Sequence, residues 1–391
     1  MRKISADYIF PIHAKPIKNG VLTVGDDGKI VALSTRSETD NDIELYSGII
    51  CPGFVNAHCH LELSHLKNLI PEHTGITGFI RELSKLRNIA DTQEQIQCAK
   101  FYDNQMYLQG IVAVGDISNS NLTFEIKKQS RIFYHTFAEA FSCNEAETKD
   151  ILKKNQDIVD CGRKLGISIS PTLHASYSMC DGLFSEMKLR SERSGILSYH
   201  NQETQDENEY FKNNSGRFSE FYDEFKIPDY PAPFGKTSIH RLLDSIDKNT
   251  KIMLVHNTFT SEDDFDFAVS ANANITWTLC PKSNLYIENH LPPIEMFRRK
   301  NARIATGTDS LSSNANLSII EELLAISNSF GNIELHELLT WATLNGAEAL
   351  GIEVKYGTFE LGKAPGIVLI DNVDTGKMML TEKSTSQILH N

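Results

Sequence analysis

At 391 residues the chain is long enough to bury a large core, and one big domain with an appendage is the economical reading of that length. Hydrophobic residues make up 40% and charged residues 23%, the balance of a soluble globular protein. A formal net charge of −13 argues against nucleic acid or an anionic membrane as a partner.

The N-terminal stretch "MRKISADYIFPIHAKPIKNG" has no long apolar segment, and no later window approaches a membrane-spanning run. Export by that route and a membrane span are therefore not expected. Seven irregularly spaced cysteines with no CxxC pair fit free thiols in a reducing cytoplasm. Residues 20–34, "GVLTVGDDGKIVALS", are two β-rich runs around a GDDG turn, a hairpin signal.

From residue 48 a pattern recurs: a short apolar, β-branched run ends in a polar or ionisable residue and a helix-like segment follows. The runs are "GIICPGFVNAHCH" (to His60), "GIVAVGDIS" (Asp116), "RIFYHTFAEA" (Glu139), "GISISPTLHA" (His174), "GILSYHNQE" (His200, Glu203), "KIMLVHNTF" (His256), "NITWTLCPKS" (Cys280 onward) and "RIATGTDS" (Asp309). Between them "GFIRELSKLRN", "SEDDFDFAVSA" and "LSIIEELLAISNS" read as helices by spacing and caps. Eight such units over about 260 residues match a (β/α)8 TIM-type barrel, where the chemistry sits at the C-terminal ends of strands. The competing doubly wound open sheet lacks its Gly-rich turn after an early strand.

After the fifth run comes "NNSGRFSEFYDEFKIPDYPAPFGKTS", a long loop rich in aromatic, Pro and Gly residues, expected to be a functional lid or disordered. Its "GKT" is no phosphate loop, because the first glycine needed would fall on Tyr230. "WATLNGAEALGI" reads as a closing helix. "YGTFELGKAPGIVLIDNVDTGKMMLT" returns to turn-punctuated strands. The expected organisation is a composite β-sandwich domain from residues 1–50 and 355–391, flanking a barrel of residues 51–354.

Side chains at i and i+2 of a strand share a face, so His58 and His60 converge at the end of the first run. His200 ends the fifth run and Asp309 the eighth. Three imidazoles and a carboxylate suit one divalent metal, Zn2+ first, with Fe2+ or Mn2+ as substitutes, leaving a position for an activated water. His13, His240, His290 and His390 carry no such reading.

"PGFVNAHCHLELS", "LHASYS", "YHNQETQDE", "LVHN", "LCPKSNLY" and "IATGTDSLSSN" resemble the amidohydrolase superfamily. Within it they are similar to the cytosine deaminase-like and triazine hydrolase-like branch, with its methylthioadenosine/S-adenosylhomocysteine, guanine and aminofutalosine deaminases. The resemblance implies that His58, His60, His200 and Asp309 hold the metal and that Asp309 takes a proton from the attacking water. It implies that Glu203 protonates the ring nitrogen beside the attacked carbon, and that His256 hydrogen-bonds the water or the tetrahedral centre. His174 matches a substrate-contacting histidine and has an equal claim as an ordinary strand-end residue. Glu82 matches a ribose-binding carboxylate and reads as well as a solvated helix residue. The fourth run has no lysine to bridge a second metal, and "GKAPGIVLI" departs from the usual Gly-Lys-x-Ala-Asp pattern of the β-domain.

"HCHLELS", "LCPKSNLY" and the long loop look most like aminofutalosine deaminase-type sequences. The substrate implied is a 6-aminopurine nucleoside with a bulky 5′ substituent, deaminated with release of ammonia. Phe218, Phe221, Tyr222 and Tyr230 are candidates to stack on its rings or on each other. Chlorohydrolase or cyclic amidohydrolase chemistry on another heterocycle is the rival reaction, and a non-catalytic scaffold the rival class. A homodimer is compatible with this reading.

Overall fold

Eight parallel strands carry the centre of the molecule; all but the half-buried fourth, Ser168–Leu173, are almost wholly buried runs of the kind that parallel sheets require. The computed structural model describes residues 1–37 and 42–390; of the composite domain expected from both termini, residues 38–41 and 391 lie outside that range. The first four strands, Phe54–Cys59, Ile111–Ser118, Phe133–Ala140 and Ser168–Leu173, form one sheet in sequence order. The next four, Ile196–Asn201, Lys251–His256, Ile275–Leu279 and Ile304–Thr306, form a second in the same manner.

The two sheets meet at both edges through single parallel bridges, Ala175 with His200 and Cys59 with Asp309. At the first edge the His200 amide donates to the His174 carbonyl at 2.9 Å. At the second the amides of Thr308 and Asp309 both donate to the His58 carbonyl at 3.0 Å. Asn56 fastens this edge further, its Nδ2 donating to Thr308 Oγ1 at 2.8 Å and its Oδ1 accepting from the Thr308 amide at 3.0 Å. Gly307 permits the approach: a Cβ there would lie 2.8 Å from the His58 amide nitrogen.

The helices between strands end where local chemistry dictates. Ser261 caps Glu262–Ala271 in a capping box with Asp264, and Ser318 caps Ile319–Ser329. The loop expected at residues 213–238 instead contains the helix Arg217–Glu224 and runs between helices Gln205–Asn213 and Ile239–Leu243. Phe218, Phe221, Tyr222 and Phe225 fall at i, i+3, i+4 and i+7, one apolar stripe, which drives the segment into a helix. Phe218, Phe221 and Tyr222 of that stripe pack in a cluster with Ile76, Tyr177, Tyr210 and Phe211. No helix among the described residues is long and apolar enough to cross a membrane.

Both chain ends build two further sheets. One orders Ile30–Thr35, Gly20–Val24, Arg2–Ser5 and Ile43–Leu45; the other orders Thr385–His390, Ile367–Asp371, Ile49–Pro52, Tyr8–Ile9 and Ile17–Lys18. Ile4, Leu22, Val24, Ile50, Phe359 and Ile367 form a shared apolar cluster, each such side chain contributing about 1.5–3 kcal/mol of burial. The run "GIICPGFVNAHCH" is therefore not a single strand. Ile49–Pro52 pairs antiparallel with Ile367–Asp371, and the chain turns into the parallel sheet at Gly53. A Cβ at Gly53 would lie 2.4 Å from Val112 and 2.7 Å from the Pro365 carbonyl oxygen, so the crossing needs glycine.

One buried ion pair supports the first sheet. Lys127 Nζ lies 2.5 Å from Asp116 Oδ2, both side chains almost fully buried, and Asp116 Oδ1 accepts from the Leu61 amide at 2.8 Å. Lys127→Met leaves Asp116 charged and unpaired, so a loss of about 3–5 kcal/mol is expected. Denaturant unfolding checks this. A loss under 1 kcal/mol would contradict the pairing.

Candidate active site

The strand ends that the two bridges draw together place seven of the expected side chains around one point. His58 and His60 leave the first strand on the same face, with their Nε2 atoms 3.1 Å apart. Asp309 Oδ1 lies 3.6 Å from His58 Nε2 and 3.3 Å from His60 Nε2. The His200 ring centroid is 4.9 Å from that of His58 and 5.5 Å from that of His60. His256 stands 5.4 Å from His200, centroid to centroid, and His174 stacks on His200 at 4.4 Å. His256 and Asp309 sit in the left-handed region, at φ 72° and 57°. For such residues that strain costs on the order of 1–3 kcal/mol each, held by the strand ends around them.

Burial sets the charge of this cluster. It drives His60 and His200 well below the usual imidazole range, His174 down to about 3 and His256 down to about 4. Asp309 is pushed up by burial, but contact with His58 and the field of the other imidazoles outweigh that and hold it well below the carboxylate range. Burial thus favours neutral rings at His60, His174, His200 and His256 beside an ionised Asp309 carboxylate. Ser283 and Ser313 hydroxyls donate to Asp309 Oδ2 at 2.7 and 2.8 Å, which fixes the carboxylate and leaves Oδ1 facing the imidazoles.

Neutral imidazoles and an anionic oxygen are the donor types a borderline divalent cation takes. Ligand atoms of His58, His60 and His200 lie within 4.8 Å of one another, as do those of His58, His256 and Asp309. His58 Nδ1 and His200 Nδ1 are buried without a hydrogen-bond partner among the described residues. The residues present fit a metal.

Glu203, on the turn after the fifth strand, places Oε1 3.6 Å from His256 Nε2. Tyr177 Oη donates to its Oε2 at 3.5 Å. Burial first, then the neighbouring carboxylates of Asp309 and Glu207, lift its pKa well above the carboxylate range. A buried carboxyl that keeps its proton near neutral pH can serve as a general acid. His256 Nδ1 accepts from Asn284 Nδ2 at 3.2 Å, so its N–H is on Nε2, the side facing Glu203.

Glu82 is not part of this group. Its carboxylate pairs with Lys85 Nζ at 2.7 Å on its own helix, Gly75–Leu86. The cavity beside the cluster, about 410 Å3, is reached from that helix by Ile80 and Leu83 and from its C-cap by Arg87 instead. Its other walls include His60, Glu139, Phe141, His174, Tyr177, Phe221 and Phe225. Phe218 and Tyr222 stack within the lid, on Tyr177 at 4.8 Å and on Tyr230 at 4.5 Å, so these rings pack on each other.

Several residues of the site were not singled out for it from sequence. Ser283 and Asn284 follow the seventh strand directly in "CPKSN", a polar run at a strand end that carried the signal. Glu139 lies near the end of the third strand with Oε1 3.6 Å from His200 Nδ1; burial pushes its carboxyl up to about 8, a rise that the Asn119 hydrogen bond and the Arg87 charge oppose. Arg87 Nη2 donates to Asn119 Oδ1 at 2.6 Å and to Glu62 Oε1 at 3.1 Å, linking the helix after the first strand to the floor of the cavity.

Comparison with known proteins gives the family and the fold. The family model described as "Amidohydrolase family" matches residues 49–388. An adenosine deaminase of Helicobacter pylori is 28% identical over 320 residues, 78% of this chain and 75% of that protein. An aminodeoxyfutalosine deaminase of Nitratiruptor sp. is 27% identical over 371 residues, 89% of this chain and 86% of the relative. The crystal structure of Helicobacter pylori aminofutalosine deaminase in complex with methylthio-coformycin superimposes with a TM-score of 0.82 at 22% identity, covering 95% of this chain and 92% of that one. At that identity the likeness is one of fold.

Proposed function

The chain belongs to the amidohydrolase family, and from that premise we propose that it is a metal-dependent hydrolytic deaminase releasing ammonia from an aminopurine, a 5′-substituted adenosine-type nucleoside. The observation that carries the reading is Glu203: a buried, proton-bearing carboxyl beside His256, on the same strand ends as the His58, His60 and Asp309 donors. Relatives named adenosine deaminase and aminodeoxyfutalosine deaminase support the substrate class. In this reading the eight strands act as one closed (β/α)8 barrel over residues 51–354. The two terminal sheets form its β-sandwich domain from residues 1–50 and 355–391, and the enzyme works in the cytoplasm.

His58, His60, His200 and Asp309 would hold one divalent cation, zinc first and iron or manganese as substitutes. Bound there, the cation supplies Lewis acidity that lowers the pKa of water toward neutrality. Asp309 Oδ1, the oxygen not taken by Ser283 and Ser313, accepts the proton that the attacking water gives up. Glu203 donates its carboxyl proton to the ring nitrogen next to the attacked carbon. His256 Nε2–H donates a hydrogen bond to the oxygen of the tetrahedral centre, its ring held by Asn284. Collapse requires a proton on the leaving amine: Glu203 takes the proton of the centre's hydroxyl and delivers it, and the proton held by Asp309 then restores the Glu203 carboxyl. Ammonia leaves and the aminopurine becomes its oxo form. His174, stacked on His200 at the cavity wall, borders the purine, and the apolar lid residues cover the 5′ substituent.

Ammonia release across a substrate panel tests the reading. Turnover of 5′-substituted adenosine-type nucleosides is expected. Activity confined to free bases, chlorinated triazines or cyclic amides would refute the substrate class. Phe225 lines the cavity and remains 43% exposed, free to meet a ligand. Phe225→Ala is expected to raise KM for a 5′-substituted nucleoside by about 3–10-fold, worth roughly 0.7–1.4 kcal/mol, and to leave KM for a free base unchanged. Equal shifts for both would place the substituent elsewhere.

A further inference from the structure

Two buried atoms beside the histidine cluster face each other without a partner. His200 Nδ1 and Glu139 Oε1 lie 3.6 Å apart, too far for a hydrogen bond as they stand, and among the described residues neither has another. Leaving a buried donor and a buried acceptor unpaired is costly, and a small approach of the two side chains would satisfy both at once. Glu139 is already aimed for this. Its Oε2 accepts from Asn119 Nδ2 at 2.9 Å, and Asn119 Oδ1 accepts in turn from Arg87 Nη2 at 2.6 Å. One carboxylate oxygen is thus tied back and the other is directed at His200.

We propose that Glu139 is the positioning residue for His200: it accepts the Nδ1–H, fixes the tautomer in which Nε2 carries the lone pair, and holds the ring toward His58 and His60. The proposal rests on the reading of His200 as a metal ligand. A histidine that ligates through one nitrogen characteristically donates its other N–H to a carboxylate or carbonyl, and loss of that partner costs about 10–100-fold in metal affinity or activity. The backbone alone does not supply the constraint. The His200 amide is spent on the His174 carbonyl, and the His174 ring stacks on the face of His200 without a bond to its nitrogens. Glu139 acts through His200 and is a positioning residue rather than a catalytic one.

Zn2+ affinity measured by competition with a chelator, on wild type, Glu139→Gln, Glu139→Asp and Asn119→Ala, tests this. The visible spectrum of the Co2+-substituted proteins and the thermal midpoints of the metal-free proteins go alongside. Glu139→Gln is expected to bind Zn2+ about 10–100-fold more weakly, with an altered Co2+ spectrum and an unchanged metal-free midpoint. Glu139→Asp, which keeps the carboxyl, should recover part of the loss. Asn119→Ala, which keeps Glu139 but frees it, should show a smaller loss in the same direction. Zn2+ affinity and Co2+ spectrum of Glu139→Gln equal to wild type, with only KM raised, would overturn the proposal and make Glu139 a substrate contact. A fall in the metal-free midpoint common to all three variants and accounting for their affinity loss would overturn it in favour of a packing role. Failure of the wild type itself to hold a metal would instead strike the metal-site reading on which it rests.

Discussion

Glu203→Gln is expected to retain its metal and to lose on the order of 10²–10⁴ in kcat, the share that a positioned acid–base group supplies. Glutamine keeps the size of the side chain and can still receive the Tyr177 hydroxyl, which now approaches Oε2 at 3.5 Å. It cannot lend a proton to a ring nitrogen and recover it for a leaving amine. Because Glu203 is buried and its pKa is lifted well above the usual range, the wild-type side chain enters the cycle as the acid. Steady-state kinetics with elemental analysis of the same preparation is the measurement. Turnover within tenfold of wild type, with metal bound, would remove Glu203 from the proton path.

Metal removal is the second large effect. Exhaustive dialysis against a chelator is expected to abolish ammonia release, and return of one equivalent of zinc to restore it. His58→Ala is expected to bring the metal content close to zero. His58 is the hub of the donor set, with Nε2 within 3.1–3.6 Å of His60 and Asp309. Its truncation breaks two of the three donor groups among the described residues, His58–His60–His200 and His58–His256–Asp309, and leaves Glu139–His174–His200. The metal-loaded protein should also melt higher than the stripped one, since a ligand at 1,000 times its dissociation constant stabilises by about 4 kcal/mol. Elemental analysis and paired thermal scans check both points. Activity that survives stripping, or a His58→Ala chain that holds its full equivalent, would overturn the metal centre.

Local periodicity made much of this readable from sequence. His58 and His60 share a face because strand side chains repeat every second residue, and His200, His256 and Asp309 stand at or just beyond the ends of their own strands. The helix caps at Ser261 and Ser318 obey nearest-neighbour chemistry in the same way. What stayed hidden depends on neighbours far along the chain. "GIICPGFVNAHCH" reads as one apolar run, and only the Val112 and Pro365 atoms against Gly53 show why it must divide. The lid reads as loop from its Pro and Gly content, although the spacing of Phe218, Phe221, Tyr222 and Phe225 was helical. Glu82 and Glu139 illustrate the limit best. One carboxylate suits the site by motif and lies against Lys85, while the other becomes conspicuous only when His200 is seen 3.6 Å away.

The seam between the first and eighth strands also bears on how the protein is made. Asn56 and Thr308, whose side chains fasten it, are 252 residues apart. On a ribosome adding about 5–20 residues per second, the first pair of histidines precedes its carboxylate by roughly 10–50 s. The nascent chain therefore carries two thirds of the sequence with an incomplete set of ligands. For the proposed ligand set, full coordination becomes available only after the eighth parallel strand and Asp309 emerge and dock, so loading belongs late in synthesis.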